Sequence, residues 1–173
     1  FYPSSGSTEI DRYVLYNYIE DVWSVGTMVR TAWIEAHLEN NPIAAGKTGT
    51  DSNYLYNQEF GHDDDGSAMT AYIETGDFDI EDGNNFMLVS RVIPDIQFRD
   101  ADSTNELDVS IKGRDYPNDS LSTLSTSSIS NSTQQAFVRC RSRQAVLRFE
   151  SSGSGYGWRL GHFRLDTRLD GRQ

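Results

Sequence analysis

A chain of 173 residues, 36% hydrophobic and 12% aromatic, is long enough to close a core without a metal or a disulfide and too apolar to stay disordered. No apolar run reaches the roughly 20 residues of a membrane-spanning helix and no basic-then-apolar leader opens the chain, so it reads as soluble and unexported. The net charge of −11 is uneven: residues 1–110 hold 5 basic and 21 acidic side chains, whereas residues 111–173 hold 10 and 5. That split fits contact between complementary surfaces and argues against an exterior that binds nucleic acid throughout.

In chain order, the first signals are those of strands. Phe1 stands where a full-length chain would carry Met, and the opening residues read as a strand edge, which suggests a trimmed or partial chain. Arg12–Met28 holds an apolar run from Tyr13 to Tyr18, the pair Glu20-Asp21, and then Val22, Trp23, Val25 and Met28, the pattern of a hairpin. Ala32–Glu39 is the one stretch expected to be able to form a helix, closed by Asn40, Asn41 and Pro42. A second hairpin is expected from Ile43–Gly46 to Tyr54–Glu59, with Lys47–Asn53 as its turn. Together these hairpins look like blade material of a β-propeller, a unit that cannot bury its faces alone.

His62-Asp63-Asp64-Asp65-Gly66 is a hydrophilic break, giving two expected regions: blade-like hairpins over residues 1–61 and a β-sandwich over 67–173. The second region contains strand-length runs at Ala68–Thr75, Phe86–Phe98, Leu107–Arg114, Ala136–Arg141, Ala145–Glu150 and Trp158–Thr167. Asp108-Val109-Ser110-Ile111-Lys112 shows the cleanest alternation of a half-buried strand. In Trp158–Leu165 the apolar residues change parity, so a bulge at Gly161–His162 is expected to restore the register. A similar slip between Val138/Cys140 and Ala145/Leu147 calls for a turn or bulge through Ser142–Gln144. The Ser/Thr-rich segment Ser120–Thr133 reads as a long loop or weak edge strands, with a subunit-bridging arm as the alternative.

Constellations for chemistry are sparse. Asp63–Asp65 with Gly66 offers hard oxygens, but consecutive aspartates lack the alternate spacing and closing Glu of a calcium loop, so a solvated hinge is expected. His37, His62 and His162 share no metal-binding spacing, and Cys140, the only cysteine, reads as a small buried apolar side chain. Gly153-Ser154-Gly155 lies in a strand-to-strand loop, unlike a nucleophile elbow. Pairs such as Asp77/Asp79 or Glu81/Asp82 carry no more weight as an acid and base than any other two of the 26 acidic residues. No cofactor, metal or catalytic residue is assigned, and the chain is expected not to be an enzyme. Arg139, Arg141 and Arg143 are the candidate contact residues. Alternate positions on an extended strand put three guanidinium groups on one face, roughly 6.6–6.8 Å apart, suited to phosphates or carboxylates of another subunit. Stacking on single-stranded nucleic acid is disfavoured, because no aromatic residues are expected on that face.

Ile111-Lys112-Gly113-Arg114-Asp115-Tyr116-Pro117, Phe137-Val138-Arg139-Cys140-Arg141-Ser142-Arg143-Gln144, Gly157-Trp158-Arg159-Leu160-Gly161 and the ending Arg164–Arg172 resemble the closing segment of the tail nozzle (tail tubular protein B) and packaged-DNA stabilisation proteins of short-tailed bacteriophages. Tyr16-Asn17-Tyr18 with Trp23-Ser24-Val25-Gly26 resembles their last propeller blade. The resemblance implies a virion protein made in the host cytoplasm, a hexameric ring below the portal and adaptor, and a channel through which duplex DNA leaves. It implies no membrane insertion and carries no catalytic residues. Most of a propeller would be missing here. The competing expectation is a receptor- or carbohydrate-binding β-sandwich of a tail fibre. In that case Trp23, Trp33 or Trp158 would be exposed beside a concave polar site rather than buried in sheet cores.

Overall fold

The computed structural model describes residues 1–36, 40–48, 52–99 and 105–172. Every helix or strand element among them is a strand, and all strand pairs are antiparallel. The chain divides into two compact units, Phe1–Phe60 and Gly61–Gln173.

In the first unit, β1 (Arg12–Asn17) and β2 (Val22–Thr27) form the expected hairpin, Asn17 facing Val22. Its turn is held locally: the Asn17 side-chain oxygen accepts the backbone N–H groups of Ile19 and Glu20, and Asp21 takes a left-handed φ of 55°. A short polar side chain tolerates that conformation better than most. Next come β3 (Ala32–Ile34), β4 (Ile43–Thr48) and β5 (Ser52–Asn57), a sheet with β4 in the centre. This corrects the helix expected to begin at Ala32. Ala32, Trp33 and Ile34 pair residue for residue with Ala45, Ala44 and Ile43, and the gain from pairing a short β-prone run overrides weak helical periodicity. Residues 37–39, which include His37, and the centre of the second turn lie outside the described residues. The paired strands run further into Lys47–Asn53 than expected, as far as Thr48 and Ser52.

The second unit contains β6 (Ala71–Glu74), β7 (Met87–Ile93), β8 (Ile96–Arg99), β9 (Leu107–Arg114), β10 (Ser122–Ile129), β11 (Ala136–Ser142), β12 (Gln144–Ser151), β13 (Gly157–Leu160) and β14 (Arg164–Leu169). They form a four-stranded sheet in the order β10-β9-β12-β6, a three-stranded sheet in the order β11-β7-β14, and the pair β13-β8. One buried cluster joins the two larger sheets: Leu107, Val109 and Ile111 of β9 and Leu147 and Phe149 of β12 come from one, while Val89 of β7 and Val138 and Cys140 of β11 come from the other. Alternation explains the arrangement. In β11 Ala136, Val138, Cys140 and Ser142 are buried, while Phe137, Arg139 and Arg141 are exposed.

Two expected phase slips prove to be places where the chain changes sheet. Arg143 alone separates β11 from β12, carrying the chain from the three-stranded to the four-stranded sheet. At Gly161–His162 the expected bulge in one strand is instead a break between two: β13 pairs with β8, and β14 pairs with β7. The opposite strand breaks at Pro94-Asp95, where Pro94 has no N–H to give to a ladder. Asp95 fastens the corner, its carbonyl accepting the Gly161 N–H at 2.7 Å and its carboxylate accepting the His162 N–H at 3.2 Å. A Cβ on residue 161 would collide with that carboxylate, so a larger residue fits only if the Asp95 side chain gives way. Ser120–Thr133 supplies β10, an edge strand whose register slips between Thr123 and Ser125.

Candidate functional site

The outer face of the three-stranded sheet gathers arginine from all its strands. Arg139 and Arg141 stand on the exposed face of β11 beside Phe137. Register adds Arg91 of β7, opposite both Phe137 and Asp166, and Arg168 of β14, which shares Leu88 as a neighbour with Arg141. Arg164 belongs to the same face, because Leu165 beside it packs against the core. Arg91 Nε donates to Asp166 at 2.7 Å, and Arg141 Nε donates to Asp170 at 2.7 Å while its guanidinium lies 3.9 Å from the Phe86 ring centroid. The side chains of Arg139, Arg164 and Arg168 make no hydrogen bond or ion pair with any described residue.

The expected three-arginine ladder therefore divides. Arg143 lies past the end of β11 at the corner, half-buried, with its guanidinium 5.2 Å from the Phe86 ring and 5.5 Å from that of Tyr116. The expectation of no aromatic on this face is corrected: Phe137 has the same parity as Arg139 and Arg141 and is 70% exposed. Arg91, Arg164 and Arg168 were missed because a face is assembled by pairing strands remote in sequence. The alternation Arg164, Asp166, Arg168 was the available signal.

The four-stranded sheet treats charge differently. Lys112 and Arg148 both reach Glu74, at 2.6 and 3.3 Å, and Arg148 Nε donates to Glu150 at 2.7 Å. Arg114 pairs with Asp77. The Lys112 and Arg148 contacts hold the Glu74 carboxyl below the usual range, Arg148 does the same for Glu150, and the two carboxylates raise Arg148. Glu74, Glu150 and Arg148 are each stabilised in the charged form by a partner.

Asp63–Asp65 takes up turn duties. Asp64 and Ser67 exchange backbone hydrogen bonds around Asp65 and Gly66, which have φ of 51° and 77°, and the Asp63 carboxylate accepts the Gly155 N–H at 2.5 Å. No group of three or more potential metal ligands occurs among the described residues. Burial raises the Cys140 thiol's pKa, and Ser142 Oγ lies 3.3 Å from its sulfur.

Of the tryptophans, Trp23 is exposed and stacked on Tyr16 at 4.4 Å, and Trp33 packs at 5.7 Å from Phe1 beside an apolar cavity. Trp158 is half-buried and donates its indole N–H to Ser151 Oγ at 2.8 Å. It lines an open cleft of about 600 Å³ with Tyr72, His62, Arg99 and Arg159. Compared with protein-family models and with curated proteins, the chain matches none.

Proposed function

We propose that this chain is a non-catalytic structural component of the tail of a short-tailed bacteriophage, part of the nozzle that retains DNA and then conducts it during ejection. The observation that carries the reading is the apolar exposure of the first unit: Tyr18, Ile19, Trp23, Val25 and Leu55 are each at least 65% exposed. Isolated exposed apolar residues are ordinary, but a hairpin apolar on both faces is material for an assembly. The resemblance of the C-terminal strings to tail nozzle proteins supplies the kind of assembly. On this reading the first unit is blade-like, the second is a β-sandwich, and copies form a ring, six by that resemblance, beneath the portal and adaptor. Net acidity suits a DNA conduit, since carboxylate walls repel phosphates and prevent sticking. Electron microscopy of the intact particle tests the proposal: density for the chain around the tail axis is expected, and density confined to peripheral fibres would refute it.

The cleft beside Trp158 favours a second reading, a carbohydrate-binding module of a tail fibre, because Trp158, Tyr72 and two arginines border a concave surface. Sugar rings stack on such aromatic faces while polar groups fix their orientation. Glycan binding that disappears in Trp158→Ala and Tyr72→Ala would support this reading; absence of binding across host surface glycans would remove it.

A further inference from the structure

Two sheet faces of one unit differ in how their charges are answered. On the four-stranded sheet Lys112 and Arg148 meet Glu74 and Glu150 within the chain. On the three-stranded sheet five arginines share one face with two carboxylates, Asp166 and Asp170, both already paired. Among the described residues Arg139, Arg164 and Arg168 have no side-chain partner, so the face has three cations beyond those that its described carboxylates answer. Phe137, exposed and opposite Arg91, places an apolar ring among them.

We infer that this face docks a carboxylate-bearing surface on a second copy of the same chain. Charge complementarity points to that occupant. The chain carries −11 overall, with 21 acidic against 5 basic side chains in residues 1–110, so a second copy presents the acid that the face lacks. Its arginines already bind carboxylates in the Arg91–Asp166 and Arg141–Asp170 pairs, and the fork geometry of guanidinium suits such partners. An exposed aromatic amid arginines has the composition of an interface anchor. Nucleic acid fits less well: one phenyl ring gives no succession of stacking platforms, and the net charge repels phosphate at long range. Basic face on acidic surface is a heterologous contact, which builds rings or filaments.

The inference rests on the assembly reading in that copies must meet, and one experiment separates the two. Sedimentation velocity of the full chain at low and high salt is expected to show self-association that weakens as salt screens the contact. The triple variant Arg139→Glu/Arg164→Glu/Arg168→Glu is expected to weaken it at least tenfold. The milder Arg139→Gln/Arg164→Gln/Arg168→Gln, checked for native circular dichroism, is expected to show a smaller loss in the same direction. Association unchanged in both variants would overturn the docking face while leaving assembly intact. A wild-type chain that stays monomeric at both salts would overturn both. A labelled single-stranded oligonucleotide that binds wild type and not the variants, with self-association unaffected, would overturn the inference in favour of nucleic acid.

Discussion

The two units use similar strands to opposite ends. The second closes a core: Met87, Val89, Leu107, Ile111, Leu147 and Phe149 are fully or almost fully out of water. The first, built from two sets of antiparallel strands, buries Ala44 as its sole fully buried apolar residue among those described. The reason is visible in the patterns. β9 alternates, with Leu107, Val109 and Ile111 inward and Asp108, Ser110 and Lys112 outward, so one face seeks a core and the other suits water. β1 runs Tyr13-Val14-Leu15-Tyr16 and is apolar on both faces, the composition of a strand covered from both sides. Local pairing forms both kinds of strand, but burial separates a unit with its own core from one whose apolar faces stay exposed.

The largest expected effect tests the core itself. Phe149→Ala removes a side chain that is 1% exposed and packs 5.3 Å from the Phe163 ring. A loss of about 3–5 kcal/mol in denaturant unfolding is expected, whereas Leu55→Ala in the first unit is expected to change stability by less than about 0.5 kcal/mol. Equal losses at the two sites would break the comparison.

The corner at Gly161 sharpens it. Gly161→Ala puts a methyl group into the Asp95 carboxylate and is expected to cost about 1–3 kcal/mol, as overpacking does. Asp95→Ala removes that clash along with the carboxylate's bond to the His162 N–H, while its backbone carbonyl still accepts the Gly161 N–H, so the double variant should be more stable than the two single losses predict. Strict additivity in a double-mutant cycle would show that residue 161 and Asp95 do not meet as described.

These corners also explain how much could be read in advance. Leu107–Arg114 was legible to its end residues because alternation is local. The parity changes at Gly161 and Ser142–Gln144 were visible as conflicts, but parity alone cannot distinguish a bulge from a move between sheets. Pro94 was the missed cue on the opposing strand. The arginine face was legible only along β11, since Arg91 and Arg168 join it through register. Arg143 fell out of the ladder because the strand ends at Ser142, one residue before its side chain would have followed the alternation.

A smaller effect concerns charge. Glu74→Gln removes an acceptor shared by Lys112 and Arg148, and with all three groups partly exposed the expected loss near neutrality is about 0.5–1 kcal/mol. The pH dependence follows from the lowered carboxyls of Glu74 and Glu150. Their folded values lie below the unfolded ones, so their contribution is fully present above the ordinary carboxylate range. It is lost as pH falls through the lowered folded values. Acid unfolding of Glu74→Gln should therefore show a shallower decline than wild type, measured by thermal unfolding from pH 6 down to about pH 2. Parallel profiles would mean that these carboxylates are not stabilised by the fold.

A small effect is also expected at Trp23. Its indole is 65% exposed and stacks on Tyr16, with ring centroids 4.4 Å apart. Such a pair contributes about 0.5–1.5 kcal/mol beyond area burial in favourable settings, and less when water reaches both rings. Trp23→Ala is therefore expected to lower the unfolding free energy of the isolated chain by less than about 1 kcal/mol. If the first unit is material for an assembly, the same substitution should act on association instead, because an aromatic side chain covered by a neighbour is a common anchor of binding energy. Measuring both quantities on one variant separates the roles. A loss above about 3 kcal/mol in the isolated chain is what truncating a buried tryptophan costs, and it would mean that the first unit makes its own core around Trp23. The contrast between the two units would then fail at the residue where it is sharpest.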